Sequence, residues 1–296
     1  RNRAGFAYTD TRRRSVNLTG APVETFAGTG RNERFEYQGV FDITDGWQAT
    51  AGLERETSRS TTSSSGGPVA RSRARIDSIY GQLLLTPLAG LSVTGGVRHD
   101  DHNRFGGATT FAASGVWTSD ATGTAIRASY AEGFKAPSLF QLQSNFGNQL
   151  LQPERSHGWD AGVTQKLIGS TLTASATYFR RDSTDLIAFV SCPLPRTGIC
   201  TNRPFGTFDN VARARAEGVE FGLTIQPVQA LQVQANYTYT NATNRSPSNA
   251  NFGRQLARRP QHSVTTLVDY RWSFGLETGA TLTHVGRSFE NASNST

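Results

Sequence analysis

The densest group of ligand-type side chains in the sequence is His99-Asp100-Asp101-His102. Imidazole and carboxylate groups bind metals and move protons, so four in a row raise both possibilities. Spacing decides between them. In an extended strand successive side chains point to opposite faces, which sends His99 and Asp101 one way and Asp100 and His102 the other. Neither pair makes a metal site, and a solvated strand end is the reading kept. His157, His262 and His284 are scattered, no serine sits in a Gly-x-Ser-x-Gly elbow, and no Gly-x-x-x-x-Gly-Lys loop occurs. Asp160, Glu220, Asp269 and Arg271 fall on the polar side of alternating stretches. No catalytic residues, metal site or cofactor are expected, and the chain does not read as an enzyme.

Cys192 and Cys200 are the only cysteines and bracket Pro-Leu-Pro-Arg-Thr-Gly-Ile. A close pair in an otherwise Cys-free chain reads as a disulfide in an oxidising compartment. A metal clip or two free thiols are the alternatives, and two thiolates with no nearby His make an incomplete metal site.

The elements that carry these residues are extended. Phe35, Tyr37, Gly39, Phe41 and Ile43 alternate with Glu36, Gln38, Asp42 and Thr44, and Asp45-Gly46 then turns the chain. Trp47, Ala49, Ala51 and Leu53 return against Gln48, Thr50 and Glu54, and the same grammar recurs to the end of the chain. The pattern gives about thirteen strands, near 4–10, 31–44, 47–57, 73–86, 91–101, 108–118, 124–133, 156–168, 171–190, 209–226, 230–241, 262–272 and 275–288. In 73–86 and 108–118 the parity is ambiguous, because Leu83-Leu84-Leu85 and Ala112-Ala113 break it.

Short links at 45–46, 87–90, 119–123, 169–170, 227–229 and 273–274 alternate with longer ones at 11–30, 58–72, 102–107, 134–155, 191–208 and 242–261. A meander with tight turns at one end, long loops at the other and aromatics near strand ends describes a transmembrane β-barrel. A soluble sandwich or propeller is the competitor; its strands average nearer ~5–6 residues, whereas many here reach the ~9–11 needed to cross a bilayer.

Composition agrees. Of 296 residues, 36% are hydrophobic and 18% charged, which suits strands with one residue in two facing lipid. No apolar run approaches the length of a helical span. The net charge of +7 comes from 28 arginines and two lysines, Lys135 and Lys166, against 23 acids. Arginines cluster in bursts such as Arg12-Arg13-Arg14 and Arg71/Arg73/Arg75, where lipid phosphates are as natural a partner as nucleic acid. No nucleic-acid-binding motif occurs, and none is expected as a partner. Methionine is absent, so Arg1 is not a translational start.

Four segments carry a family resemblance. Tyr130-Ala-Glu-Gly-Phe-Lys-Ala-Pro-Ser-Leu-Phe-Gln-Leu142 resembles the strand-to-loop motif of TonB-dependent outer-membrane receptors. Gly147-Asn-Gln-Leu-Leu-Gln-Pro-Glu-Arg-Ser156 is similar to the motif that follows it there. Asn210-Val-Ala-Arg-Ala-Arg-Ala-Glu-Gly-Val-Glu220 and Arg258-Arg-Pro-Gln-His-Ser263 resemble later strands. Within that family the likeness is to cobalamin and siderophore receptors. The resemblance implies a monomeric barrel of about 22 strands, plugged by an N-terminal domain that contacts the TonB complex. Residues 1–296 are then part of the barrel domain, with plug and C-terminal strands elsewhere.

The expected function is an outer-membrane receptor and transporter in the bacterial outer membrane, with membrane lipid and a small metal chelate as partners. Its outer loops capture a scarce large ligand, a siderophore-iron complex, cobalamin or similar, for TonB-coupled import. A passive porin and a surface adhesive or structural β protein are the rivals. Ligand contacts are sought in Phe140, Asn145 and Phe146 of one long loop and in Arg203, Phe205 and Phe208 beside the cysteine loop. Aromatic rings and guanidinium groups can stack on and pair with an anionic chelate; the same side chains can also simply pack loop against loop.

Overall fold

A computed structural model describes residues 1–64, 69–247 and 249–294. Its strands are β1 (Asn2–Asn17), β2 (Val23–Thr44), β3 (Trp47–Ser64), β4 (Ala70–Leu88), β5 (Leu91–His102), β6 (Gly106–Ser119), β7 (Thr124–Lys135), β8 (Glu154–Leu167), β9 (Leu172–Val190), β10 (Thr207–Val228), β11 (Leu231–Asn244), β12 (His262–Arg271) and β13 (Glu277–Val285). They form one antiparallel sheet in chain order, and β1 and β13 each have a single neighbour, so the sheet is an open part of a barrel. One short helix, α1 (Leu139–Gln143), lies in the β7–β8 connection.

The sheet is a single layer with its polarity inverted relative to a soluble protein. Leu53, Ile79 and Phe111 on its outer face are more than half exposed, whereas Ser78, Asp100 and His102 on its inner face are buried. A soluble sandwich would cover such an apolar face with a second sheet; here it faces outward, as a lipid-facing surface does. Register settles the two ambiguous strands. Leu85, Leu83 and Ile79 stand opposite Trp47, Ala49 and Leu53, and Phe111 and Trp117 stand opposite Val97 and Leu91. These therefore point outward, and Leu84 and Ala112 point inward.

Pairing also reveals the strand tilt. One outer-face row runs Phe41–Ala49–Leu83–Gly95–Ala113–Tyr130–Trp159–Arg180–Glu217 across nine strands. It begins among lipid-facing residues near a tight turn and ends in a charged rim. A row perpendicular to the strands can climb like this only if the strands are inclined to the barrel axis.

The inner face is held by polar pairs. Arg98 donates through Nε to Asp100 (2.7 Å) and through Nη2 to Ser78 Oγ (2.8 Å) and Glu54 (3.3 Å), and Ser78 donates to Asp100. The division of His99-Asp100-Asp101-His102 between faces is as the alternation requires: His99 stands opposite outward Ile79, and Asp100 and His102 are buried inside.

Two loop expectations are corrected. The expected loop 11–30 shrinks to 18–22, because β1 and β2 continue pairing to Asn17 and Val23. The expected loop 58–72 is mostly strand, with β3 extending to Ser64 and β4 starting at Ala70; residues 65–68 of it lie outside the described residues. These Arg/Ser/Thr-rich stretches lack an apolar face and so read as loops. Cross-strand hydrogen bonding nevertheless satisfies their backbones, so the hairpins stand well above the apolar band.

Candidate functional site

The long connections gather at the end of the sheet opposite the tight turns, and the β7–β8 connection is built first by its own residues. Ser138 caps α1: its Oγ accepts the Gln141 N–H (3.2 Å), and Gln141 Oε1 accepts the Ser138 N–H (2.8 Å). Leu142 and Leu151 are buried beneath the loop. Gly147 lies against the Leu142 carbonyl, where a Cβ would come within 2.6 Å of its oxygen, so this turn admits no side chain.

The rest of the segment is tied to the start of β10. Asn148 donates to Phe208 O (3.0 Å) while its Oδ1 accepts the Leu150 N–H (2.9 Å). Thr207 Oγ1 and the Phe208 N–H both donate to Phe146 O. Asn210 accepts the Gln152 N–H and donates to Gln152 O and Asp185 O. Glu154 closes the far side, accepting from the Ile187 N–H and pairing with Lys135. The residues of the Gly-Asn-x-x-Leu-x-Pro-Glu stretch are thus staples that hold one loop on another.

What they hold in place is a cavity of about 650 Å³. Phe140, Asn145, Phe146, Arg203 and Phe205 all line it, joined by Arg13, Thr25 and Phe26 from the β1–β2 hairpin. Arg203 donates through Nη1 to Asn145 O (3.0 Å), which steers its guanidinium along the wall. Among the described residues Arg13 makes no side-chain hydrogen bond or ion pair, and no carboxylate lines the cavity. Two guanidinium groups and four phenyl rings around one opening make a surface suited to an anion with a flat aromatic or chelate body.

Phe208 is placed differently from the other five. Its ring packs 6.0 Å from Phe140 and 5.6 Å from Phe189, behind the wall. Arg13 and Phe26 escaped sequence reading because their hairpin looked like loop. Alternation was the available signal: carrying the parity of outward Phe6 and Tyr8 on through Arg12-Arg13-Arg14 turns the middle arginine inward.

Cys192 and Cys200 are joined, with Cα atoms 5.3 Å apart, and Cys200 O accepts the Arg203 N–H (3.0 Å). Replacing both cysteines by serine is expected to release about 2–3 kcal/mol of loop-closure stabilisation. Amide exchange should accelerate across 191–206 while β9 and β10 keep their protection, because the strands are held by their ladders and not by this bridge.

The family described as TonB dependent receptor-like, beta-barrel matches residues 1–296. The iron-regulated outer membrane virulence protein of Vibrio cholerae is 28% identical over 214 residues, 67% of this chain and 32% of that protein. The ferric enterobactin receptor of Pseudomonas aeruginosa is 26% identical over 241 residues, 73% of this chain and 31% of that protein. The chain thus spans about a third of the length of these curated relatives. Among solved structures, the siderophore receptor PirA of Pseudomonas aeruginosa superposes with a TM-score of 0.71 at 21% identity, covering 96% of this chain and 56% of that one. A ferric enterobactin receptor structure from the same organism gives 0.78 at 20% identity, covering 98% and 47%. Those two likenesses establish the fold. With the family pattern running through all 296 residues on a lipid-facing open barrel, the chain belongs to the TonB-dependent receptor β-barrel family of the outer membrane.

Proposed function

We propose that this chain is the barrel portion of a receptor that captures an anionic ferric chelate of the siderophore class and imports it by TonB-coupled transport. The plug domain and remaining strands then lie in sequence outside these 296 residues. The observation that carries the reading is the cavity in which Arg13 and Arg203 face four phenylalanines with no carboxylate among the lining residues. Such a lining favours a negatively charged, ring-bearing ligand over cobalamin, whose recognition needs no concentrated positive charge. The names of the matched receptors, for ferric enterobactin and for siderophores, agree with that chemistry.

The residues divide the work. Phe26, Phe140 and Phe205 offer ring faces for stacking, and Arg13 and Arg203 pair with the chelate's charge. The staples from Gly147 to Asn210 keep the two loops in register so that both halves of the cavity close on one ligand. The polar inner face around Glu54, Ser78, Arg98 and Asp100 provides the wetted wall along which a released ligand passes.

The test is binding of ferric enterobactin to the whole receptor in detergent, followed by intrinsic fluorescence quenching. Arg13→Gln and Arg203→Gln are each expected to weaken binding about 10–100-fold, the worth of a charge-assisted hydrogen bond. Lys166→Gln, at the tight-turn end, should leave it unchanged. Uptake of iron-55 by cells should stop when the proton-motive force is dissipated while surface binding persists. Uptake that continues in de-energised cells would favour the passive channel.

A further inference from the structure

The outer face of β1–β4 changes character at one level. Going away from the tight turns, the outward positions pass from Tyr8 to Asp10, from Phe35 to Glu33, from Leu53 to Arg55 and from Ile79 to Asp77. Further out, one pairing row runs Asp10–Arg31–Arg59–Arg73 across β1–β4, so that three arginines stand directly opposite one another on adjacent strands with Asp10 at one end. With strands about 4.8 Å apart, the three backbones carrying these guanidinium groups lie within roughly 10 Å. Arg75 and Arg71 flank this row on β4, and Arg12 flanks it on β1.

Like charges placed directly opposite destabilise a sheet, and the carboxylates nearby do not balance them. Asp10 takes both Arg12 (3.3 Å) and Arg31 (3.0 Å), Glu33 takes Arg59 (2.7 Å), and Asp77 is shared by Arg75 (3.1 Å) and Arg55. Asp101, beside Asp77, is the remaining acid of this neighbourhood. Among the described residues Arg71 and Arg73 have neither a hydrogen bond nor an ion pair through their side chains, and both are exposed.

On β2, β3 and β4 the charge of this stretch is confined to the outer face, while on β1 Arg13 turns inward to the cavity. Inward positions of the same stretch are Ser58, Ser60 and Thr62 on β3 and Ser72 and Ala74 on β4. Bulk water would treat the two faces alike; a layer of anionic headgroups touches only the outer one. Below the arginine row an outer groove of about 840 Å³ is lined by Ala4, Phe35, Tyr37, Leu53 and Ile79, with Arg55, Asp77, His99 and Asp101 also in its lining, on the side toward the arginines. Phosphate-binding groups above and an apolar trough below match an amphiphile rather than a free anion.

We propose that the Arg31–Arg59–Arg73 ladder is a binding site for the phosphate groups of a phosphorylated outer-leaflet glycolipid, lipid A, with an acyl chain of the same molecule in the groove beneath. Guanidinium forks suit phosphate because two N–H groups can meet two oxygens. The bound phosphate relieves the repulsion that the register imposes on the three arginines.

The experiment uses the whole receptor, purified in detergent and examined by native mass spectrometry for retained lipid A, with heat-modifiable gel mobility as the folding control. Arg59→Gln with Arg73→Gln should retain lipid A roughly 25-fold more weakly, about a factor of five per arginine near an anionic surface. Arg59→Lys with Arg73→Lys should recover most of the retention. Arg73→Gln alone, which removes no intramolecular partner, serves if the double variant folds poorly. Thermal unfolding should be raised by vesicles of phosphatidylcholine doped with lipid A and left unchanged by the same vesicles carrying dephosphorylated lipid A. Equal retention by the glutamine variants overturns the proposal. So does equal stabilisation by dephosphorylated lipid A, or by inorganic phosphate alone, which would mark a free-anion site.

Discussion

Leu223→Arg, introduced into the whole receptor, is expected to lower its folding stability in phospholipid vesicles by about 2–4 kcal/mol. Leu223 lies on the outer face of β10, opposite Ala174 and Ala235, with Phe221 and Val219 beyond it and Ile225 before it. An arginine there must hold its guanidinium in hydrocarbon or drag water and headgroups inward. Val233→Arg should cost less, toward ~1 kcal/mol, because Val233 is two residues from the start of β11 at the tight turn and its side chain can reach the interface. Thr224→Arg and Gln232→Arg point to the wet inner face and should be close to neutral. Reversible denaturation by guanidinium, followed by tryptophan fluorescence, measures all four. Losses at Thr224 and Gln232 with neutrality at Leu223 would invert the face assignment.

Gly218→Ala is expected to cost about 3 kcal/mol, the upper range for an overpacked methyl, and Gly218→Val to prevent assembly of the folded, heat-modifiable form. Gly218 sits on the inner face of β10, where a Cβ would come within 2.0 Å of Tyr239 O and 2.8 Å of Phe179 Cζ. The ring of Phe179 could turn away. The carbonyl of Tyr239 belongs to the β10–β11 ladder, which would have to part for even a methyl group. The same denaturation assay reads the first variant, and gel mobility with and without heating reads the second. This contact supplies the physical reason for a glycine in the Gly218-Val219-Glu220 segment: the neighbouring strand's backbone passes so close that any side chain there must displace it.

Much of this architecture was legible from alternation alone. Runs such as Leu172–Tyr178 and Val219–Ile225 carry a period of two so regular that strand, face and turn follow without tertiary information, and Asp45-Gly46 marks its hairpin by conformational preference. Legibility failed where the alternation lost its apolar member. Residues 11–17, 23–30, 58–64 and 70–72 are strand because a neighbour supplies the hydrogen bonds, a property of the pair and not of either segment. It failed again at Leu83-Leu84-Leu85, where three identical side chains leave parity to the register with Trp47–Ala49.

The candidate site shows the same division. Phe140, Asn145, Phe146, Arg203 and Phe205 could be nominated from residue type and loop position, and the fold brings those five to one cavity. Phe208 has the same composition and a different place, since whether an aromatic ring faces the opening or backs the wall depends on which strand lies behind it. Arg13 and Phe26 became visible only once their hairpin was seen to continue as sheet.

By itself, then, the sequence determined the number and order of strands, which side of most strands meets lipid, and the pairing-competent cysteines, because each depends on local pattern over a few residues. Tertiary structure decided the height of the hairpins, the climb of the pairing rows, the alignment of Arg31, Arg59 and Arg73 across the outer face and the convergence of separate loops on one cavity. Those are properties of register, and register is set by partners that local pattern does not name.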